Sequence, residues 1–571
     1  MTDFDETFDT VVVGSGAGSM CAALVAADAG LTTAILEKQP KIGGSTGFSG
    51  GVLWLPNNPL MHRDGVADSL KESRRYLDAA VTYDGPGTSP ERREAFLKSG
   101  PEMITFLERQ GMLFERPDGY CDYYDELPGG SVSGRAVHVP LFDINELGEW
   151  RDRLAVFPGR PLRVSVEEVP QLTLVKRTWK ARRVALRVAA RYVSGALRRQ
   201  DIRGAGAAMQ GRMLQLALRA GTSVWPDTPV REFILDGDRI AGVVAARNGR
   251  SVRIGARRGV LINAGGYSHN AAIREAHGPA PAATRWTLAN AGDTGEILER
   301  AMDLGAATDC LGESWWMLTS LGPGEKPPKG AVTKDGTTAL FGHHFDISLP
   351  HVIVVDQDGN RFTDEAGSYM ENGHRLYERQ RQTGRAVPAW AIIESRHRKR
   401  YLWGTTLGRT PSEWLDSGYL KIAYTIEDLA RVCGIDETGL RRTVDRFNEF
   451  ARTGVDLDYG RGGRAFDKYH GDPTNKPNPS LGAIEKPPFY AVAIYPSDVG
   501  SAGGLVTDAD ARVLRDDGTA IEGLYATGNS TASVMGRTYP GAGASIAPSF
   551  VFAFRAALHM VASSPADTHV N

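Results

Sequence analysis

Residues 10–37 constrain this chain more than any other stretch. Thr10, Val11, Val12 and Val13 form a short apolar run of the kind that makes a buried strand, and Gly14, Ser15, Gly16, Ala17, Gly18 and Ser19 follow it. An Ala-rich segment over 20–29 reads as a helix ended by Gly30, and 32–36 is a second apolar strand closed by Glu37. This order spells a βαβ dinucleotide-binding unit. Gly14 permits the tight turn, Gly16 lets the backbone approach a pyrophosphate, and the helix start offers free N–H groups to it. Glu37, about 20 residues on, is placed to accept from ribose hydroxyls. The third glycine position holds Ser19, which is small but not ideal for close helix–strand packing. The glycines alone are a weak signal; the flanking strand, helix and acid make it specific.

The rest of the composition narrows the class. A length of 571 residues suggests roughly two or three domains with ample core. A net charge of −2 gives no global argument for nucleic acid as a partner. Cys21, Cys121, Cys310 and Cys433 have no paired spacing, so they read as reduced residues of a cytosolic protein, neither disulfide frame nor zinc site. Residues 1–9 are acidic, so no secretory signal is expected, and no apolar run is long enough to span a membrane. His343 and His344 have no carboxylate or thiol at ligand spacing, so no metal is expected.

Several later segments carry signals of their own. Residues 41–51 (KIGGSTGFSGG) supply Gly43, Gly44, Ser45, Thr46, Ser49, Gly50 and Gly51, and can lie flat along a ring system or be a plain loop. Amphipathic helices are expected over 68–80 and 91–110. Residues 120–134 crowd three tyrosines against a Pro-Gly-Gly turn. In 176–199, Lys176, Lys180, Arg183, Arg187 and Arg191 share one helical face, while Trp179, Leu186, Val193 and Leu197 share another. Such a helix either lies on an anionic membrane surface or packs on the protein by its apolar stripe. A hairpin is expected at 232–245, and the strand 257–263 runs into Ala264-Gly265-Gly266, which suits a second backbone approach to a nucleotide. Asp293 or Thr294 is expected near the cap of the next helix.

Residues 323–329 and 473–488 are Pro-rich joins. We therefore expect a nucleotide domain made of 1–325 (with a basic helical insertion near 170–205) and 498–571, and an inserted domain over 326–497. The last segment, 498–571, carries a hairpin turning at Asp517-Gly518, then Gly528-Asn529, and a Tyr-Pro-Gly turn before the apolar helix 549–562. Ligands in such folds sit where the domains meet.

Taken in order, GSGAGS with Glu37, GGSTGFSGG, GYCDYYDELPGG, INAGGYSHN, ESWW, RFTDEAGSY, NKPNPSLG and the tail GLYATGNSTASVMGRTYPGAG resemble the flavoprotein 3-ketosteroid Δ1-dehydrogenases, within the fumarate reductase/succinate dehydrogenase-type flavoproteins. The resemblance implies an α/β fold: a glutathione-reductase-like FAD-binding domain with an inserted α+β catalytic domain. It implies non-covalent FAD held by the glycine loops, with Lys38, Asp293, Ala544, Ser545 and Ile546 beside it, and a 3-ketosteroid losing hydrogen from C1 and C2. It implies further that Tyr539 and the Gly543 N–H polarise the C3 carbonyl, that Tyr369 takes the C2 proton, that Tyr123 assists it, and that flavin N5 accepts hydride from C1. Tyr124 is the rival of Tyr123. A separate, unidentified electron acceptor would reoxidise the flavin.

A phenol is a poor base alone, with an ordinary pKa near 10, and a second phenol donating to it eases its ionisation. Ala542, Ala544, Ser545 and Ala547 depart from the commoner family tail, as do His351 and Met317-Leu318 elsewhere; these bear on substrate preference, not on class. Two enzymatic alternatives stand beside this reading: a fumarate- or urocanate-type reductase, which needs cations gripping a dicarboxylate, and a 3-ketosteroid dehydrogenase shifted to Δ4 of 5α-steroids. A non-enzymatic alternative, a flavin-bearing binding module docked on a membrane or associated with nucleic acid, rests only on 176–199.

Overall fold

The computed structural model describes residues 3–563 apart from 118, 157–162, 322–339, 405 and 409. The Pro-rich join expected at 323–329 lies outside the described residues. The first strand, β1 (Glu6–Val13), buries Val11, Val12 and Val13 completely or nearly so, which is why so short a run can sit mid-sheet. Helix α1 (Ala17–Asp28) is buried over most of its length, and β2 (Thr33–Leu36) returns parallel to β1. The parallel order continues outward with Ser223–Trp225 beside β2, and on the other side with Arg250–Ile262 and then Ala520–Ala526. The hairpin of Val230–Asp236 and Arg239–Arg247 extends Arg250–Ile262 antiparallel, turning at the expected Gly237.

The second sheet is six-stranded, and all its pairings are antiparallel. Phe489–Ser501 is its spine, pairing with Ser314–Ser320 on one side and Ala389–Glu394 on the other. Ser314–Ser320 therefore joins this sheet from ahead of position 326, and Phe489–Ser501 runs through position 497. Two apolar clusters, one built on Val354, Trp403 and Val492 and one on Leu429, Phe447 and Ala491, lie in this part of the chain. A larger cluster spans both parts, from Val12, Leu24 and Phe96 through Trp315 and Tyr539 to Phe550. That shared core fixes the second sheet over the strand ends of the first.

Most helices fall where periodicity puts them: Leu70–Ala80 and Pro90–Arg109, each capped by a serine, and Ala547–Ala562 at the end. Two expectations need correction. Residues 41–51 are not a plain loop: Gly44–Phe48 is a short helix, α2. Its neighbours press on backbone, since a Cβ on Gly47 would meet the Ala155 carbonyl at 2.5 Å and one on Gly51 would meet Ala205. Asp293 and Thr294 do fall near the cap of the helix Glu296–Asp303, just ahead of Gly295, which takes the cap position at φ +78°. The basic helix Trp179–Leu197 does not pack by the stripe of Trp179, Leu186, Val193 and Leu197; it buries Ala181, Val184, Val188 and Gly195 instead. Small residues there let the backbone come close, leaving the large side chains outside. Among the described residues no helix is long and apolar enough to cross a membrane.

Candidate active site

The turns that follow β1, β2, Arg250–Ile262 and Ala520–Ala526 cluster at one end of the parallel sheet. Gly14 takes φ +94°, and a Cβ there would strike the Asn263 carbonyl at 2.2 Å, so only glycine fits. Close helix–strand packing falls to Gly18, whose Cβ would meet Asn263 and Ser549 within 2.5 Å. Ser19 is thereby free to donate from Oγ to the Gly14 carbonyl at 2.8 Å. The expected free donors at the start of α1 are engaged within the chain: Thr46 Oγ1 accepts from Ala17 N–H at 3.3 Å. Asn263, with its amide oriented to satisfy both ends, accepts from Gly18 and Ser19 N–H. A buried helix start demands such partners, and its dipole still presents positive potential there.

Glu37 ends β2 buried, accepting from the N–H and Oγ of Ser15 and from Gln39 N–H. Burial pushes its carboxyl up, and those hydrogen bonds oppose the shift. Asp293 is also buried, with its pKa raised to about 7 by desolvation against the opposing bond from Ser45 Oγ. Its carboxylate lies against Gly265, while Ser530 Oγ bridges Ala264 N–H and the Gly265 carbonyl. Gly266 packs on Ser501 and on the carbonyl of Asn529, whose side chain accepts from Trp315 Nε1 at 3.1 Å; Gly528 approaches Ser549. Gly43 N–H donates to Ser15 Oγ, and Ser49 Oγ donates to the Thr46 carbonyl and accepts from Gly51 N–H. Lys38 donates to Thr294 and Glu296, and its charge also acts on Asp293 and Glu37.

The residues suit FAD. Two buried carboxylates, Glu37 and Asp293, and the dipole of α1 flank one strand edge. Beside them Gln210 donates to the Ser15 carbonyl, and its own Oε1 is buried with no partner among the described residues. That is an acceptor of the kind hydroxyl-bearing ligands require. Sequence reading passed over Gln210 because nothing marks a lone glutamine inside a helical pattern.

Over this edge three phenols meet, Tyr123 from the first part of the chain, Tyr369 from the inserted part and Tyr539 from the C-terminal part. Ring centroids of Tyr369 and Tyr539 are 4.8 Å apart, those of Tyr123 and Tyr539 5.5 Å, and those of Tyr123 and Tyr369 6.0 Å. Tyr369 starts the helix Tyr369–Thr383 and Tyr123 sits in the aromatic loop. Tyr539 opens the turn that reaches Gly543, at φ +93°, against the backbone of Val52. Burial pushes the Tyr369 and Tyr123 phenols well above their ordinary value, and each is raised further by Tyr539. Tyr539 Oη and Ser545 Oγ are 3.1 Å apart, between Ala544 and Ile546 of the same turn. Tyr124 lies alongside, its hydroxyl facing the side chains of Ser368 and Thr538, the residues just ahead of Tyr369 and Tyr539, with Arg464 over its ring.

The frame holding these phenols escaped sequence reading. Trp54 stacks with Phe96, presses its ring on Gly541 and donates to Asp122 at 2.8 Å. Arg135, 1% exposed, joins Asp122 to Asp68. Desolvation raises Asp122 to about 6 even against Arg135. Phe466 lies 4.0 Å from the Tyr123 ring, and the His344 ring 5.4 Å from that of Tyr369. His351, by contrast, bonds to the Ala483 carbonyl and to Arg400, apart from the phenols, in a left-handed conformation at φ +71°.

The sheet, its nucleotide-type turns and the phenols facing them define a flavoprotein oxidoreductase that binds FAD. A family model described as an FAD binding domain matches residues 9–546. The chain is 39% identical to a 3-oxosteroid 1-dehydrogenase of Mycobacterium tuberculosis over 97% of this chain and 98% of that one. It is 38% identical to one of Mycolicibacterium smegmatis, over 98% of each. It superposes at a TM-score of 0.90 on a crystal structure of 3-ketosteroid Δ1-dehydrogenase from Sterolibacterium denitrificans in complex with 1,4-androstadiene-3,17-dione, at 36% identity over 98% of this chain and 100% of that one. The chain belongs to the 3-oxosteroid 1-dehydrogenase family.

Proposed function

We propose that the protein desaturates the C1–C2 bond of a 3-ketosteroid A ring. The observation that carries this reading is the convergence of Tyr123, Tyr369 and Tyr539 on one another, with centroids 4.8–6.0 Å apart, above the FAD-type strand edge. Tyr539 O–H and Gly543 N–H polarise the C3 carbonyl and stabilise the enolate that forms as C2 loses its proton. Tyr369 takes that proton, and Tyr123 donates to Tyr369 to ease its ionisation. The C1 hydrogen leaves with its electron pair as the C1–C2 double bond forms; accepting that pair is the chemistry FAD supplies when bound. Glu37, Asp293, Gln210 and the turns at 14–19, 43–51, 264–266 and 528–529 would hold the cofactor. The aromatic wall of Phe466, Trp315 and His344 keeps the reacting carbons from water.

The deciding experiment adds 4-androstene-3,17-dione anaerobically to the purified flavoprotein. Bleaching of the oxidised-flavin band with formation of the 1,4-diene is the expected result. No bleaching with this or with 5α-reduced 3-ketosteroids, together with reoxidation of the reduced protein by fumarate, would replace this reading with the reductase one. A 4-ene product from a 5α-steroid, with no 1-ene, would shift the regiochemistry.

A further inference from the structure

We propose that the outward face of the helix Trp179–Leu197 docks on an anionic lipid bilayer. This helix turns its small residues inward, and Trp179, Leu186, Val193 and Leu197 stand 61–81% exposed. Their spacing of seven, seven and four residues sets them in one straight row about 27 Å long. Single exposed apolar residues need no explanation, but a row of four large ones on one helix does.

Cations border the row. Lys180, Arg183, Arg187 and Arg198 lie along one side and Arg182 along the other, and 176–199 contains no acid. Arg187 and Arg191 reach back to Glu168, buried beneath the helix. Lys180, Arg183 and Arg198 pair with no acid among the described residues. Arg182 lies 4.7 Å over the Trp179 ring, carrying charge to the rim of the apolar row. The whole chain sums to −2, so this positive charge is local.

That combination selects the occupant. A second copy of the chain laid on this face would bring arginine against arginine, and a neutral apolar partner would leave the flanking cations facing nothing. An anionic bilayer takes both: the row enters the headgroup–acyl boundary and the flanks meet lipid phosphates. The helix is also seated firmly enough to act as an anchor. Lys176 donates to the Lys399 carbonyl, Arg177 bridges to Asp472 at 2.6 Å, and Ala181 packs with Leu349 and Tyr401. Asp472 follows closely on His470, whose ring lies 5.0 Å from that of His344, the neighbour of Tyr369. An anchor attached on this side of the inserted domain would present the phenol site to apolar molecules dissolved in the bilayer. The docking itself does not depend on the dehydrogenase reading.

The test is co-sedimentation of the intact flavoprotein with phosphatidylcholine vesicles, with and without phosphatidylglycerol. We expect binding to the mixed vesicles, weakened about tenfold or more by high salt or by omission of the anionic lipid. Leu186→Glu with Val193→Glu should abolish it while circular dichroism and the flavin spectrum stay unchanged. The Trp179 contribution to emission, isolated with Trp179→Phe, should shift to the blue on vesicles. No co-sedimentation of the folded flavoprotein would overturn the proposal, as would unchanged binding by the double variant. A dimer in light scattering that the same double variant dissociates would assign the face to self-association instead.

Discussion

Tyr123 donates its backbone N–H to the Pro540 carbonyl at 3.0 Å, tying the aromatic loop to the turn that carries Tyr539 and Gly543. Tyr76 donates its hydroxyl to the same oxygen at 2.6 Å, and that hydroxyl accepts in turn from Tyr124 N–H. With both lone pairs of Pro540 occupied, loop and turn are set relative to each other. Tyr76→Phe keeps the ring beside Trp54 and Arg135 but frees one lone pair. We expect a loss of about 1 kcal/mol in stability, and a several-fold fall in kcat with flavin content unchanged. Calorimetry and steady-state rates on one preparation check this; an unaltered kcat would show that Tyr123 holds the turn alone.

Removing the phenol hydroxyls tests the assigned roles directly. Tyr539→Phe should lower the anaerobic reduction rate by about 10²–10³, the usual effect of losing one oxyanion donor. Tyr369→Phe should cost at least as much, since the C2 proton then has no acceptor, and Tyr123→Phe less. Each variant should keep the oxidised-flavin spectrum. A Tyr369→Phe enzyme as fast as the parent would transfer the base to another group.

Much of this site was legible in the sequence, and the illegible part has a physical cause. The turn at Gly14, the acid Glu37 and the three phenols are marked by local pattern or by motif. Trp54, Tyr76, Arg135 and Gln210 act across long separations in sequence, as in the bond from Tyr76 to Pro540. No periodicity records such a partner. Gly18 took the packing role that the glycine pattern assigns to position 19, because Asn263 and Ser549 approach α1 one residue earlier. Of the two alternatives for the helix Trp179–Leu197, packing by the large apolar stripe fails for a related reason. Pattern reveals two faces but not which of them meets the body, and there the small residues, not the large ones, allow contact.

Glu37 offers a test of cofactor retention that activity does not confound. Its carboxylate holds Ser15 by backbone and side chain, and so sets the turn between β1 and α1. Glu37→Ala should weaken FAD retention by about tenfold or more, the scale of losing charge-assisted hydrogen bonds, while the protein stays folded. The ratio of flavin to protein absorbance after dialysis reads this. Full retention would remove Glu37 from the cofactor site.

The pH profile of turnover follows from Tyr369. Burial is the largest cause holding its phenol well above the ordinary value. Tyr539 and Tyr123 add to the shift through like charge when ionised, and Tyr123 opposes it only as a neutral O–H donor to the Tyr369 oxygen. The competent base is the ionised form, so raising the pH populates it, by about tenfold per unit below the pKa. The rate of flavin reduction should therefore climb between neutral and alkaline pH with a slope near one. A flat profile over that range would contradict a phenolate base.

Stability has its own acid limb, set away from the chemistry. Glu365 is fully buried and accepts from Arg361 at 2.7 and 3.0 Å and from Arg461 at 2.9 Å. Burial alone would raise its pKa; the two guanidinium groups outweigh that and hold it at about 2, below an ordinary value of 4.5. A depressed carboxylate stabilises the fold fully above its unfolded pKa, and the contribution is lost as pH falls from 4.5 toward 2. Arg361 keeps Asp456 as a second partner, whereas Arg461 has Glu365 and backbone carbonyls. Glu365→Gln should therefore cost about 3–5 kcal/mol near neutral pH. The difference between parent and variant should shrink steadily below pH 4.5. Denaturant midpoints across that range measure it, and a gap that stayed constant with pH would mean that the loss comes from packing and not from charge.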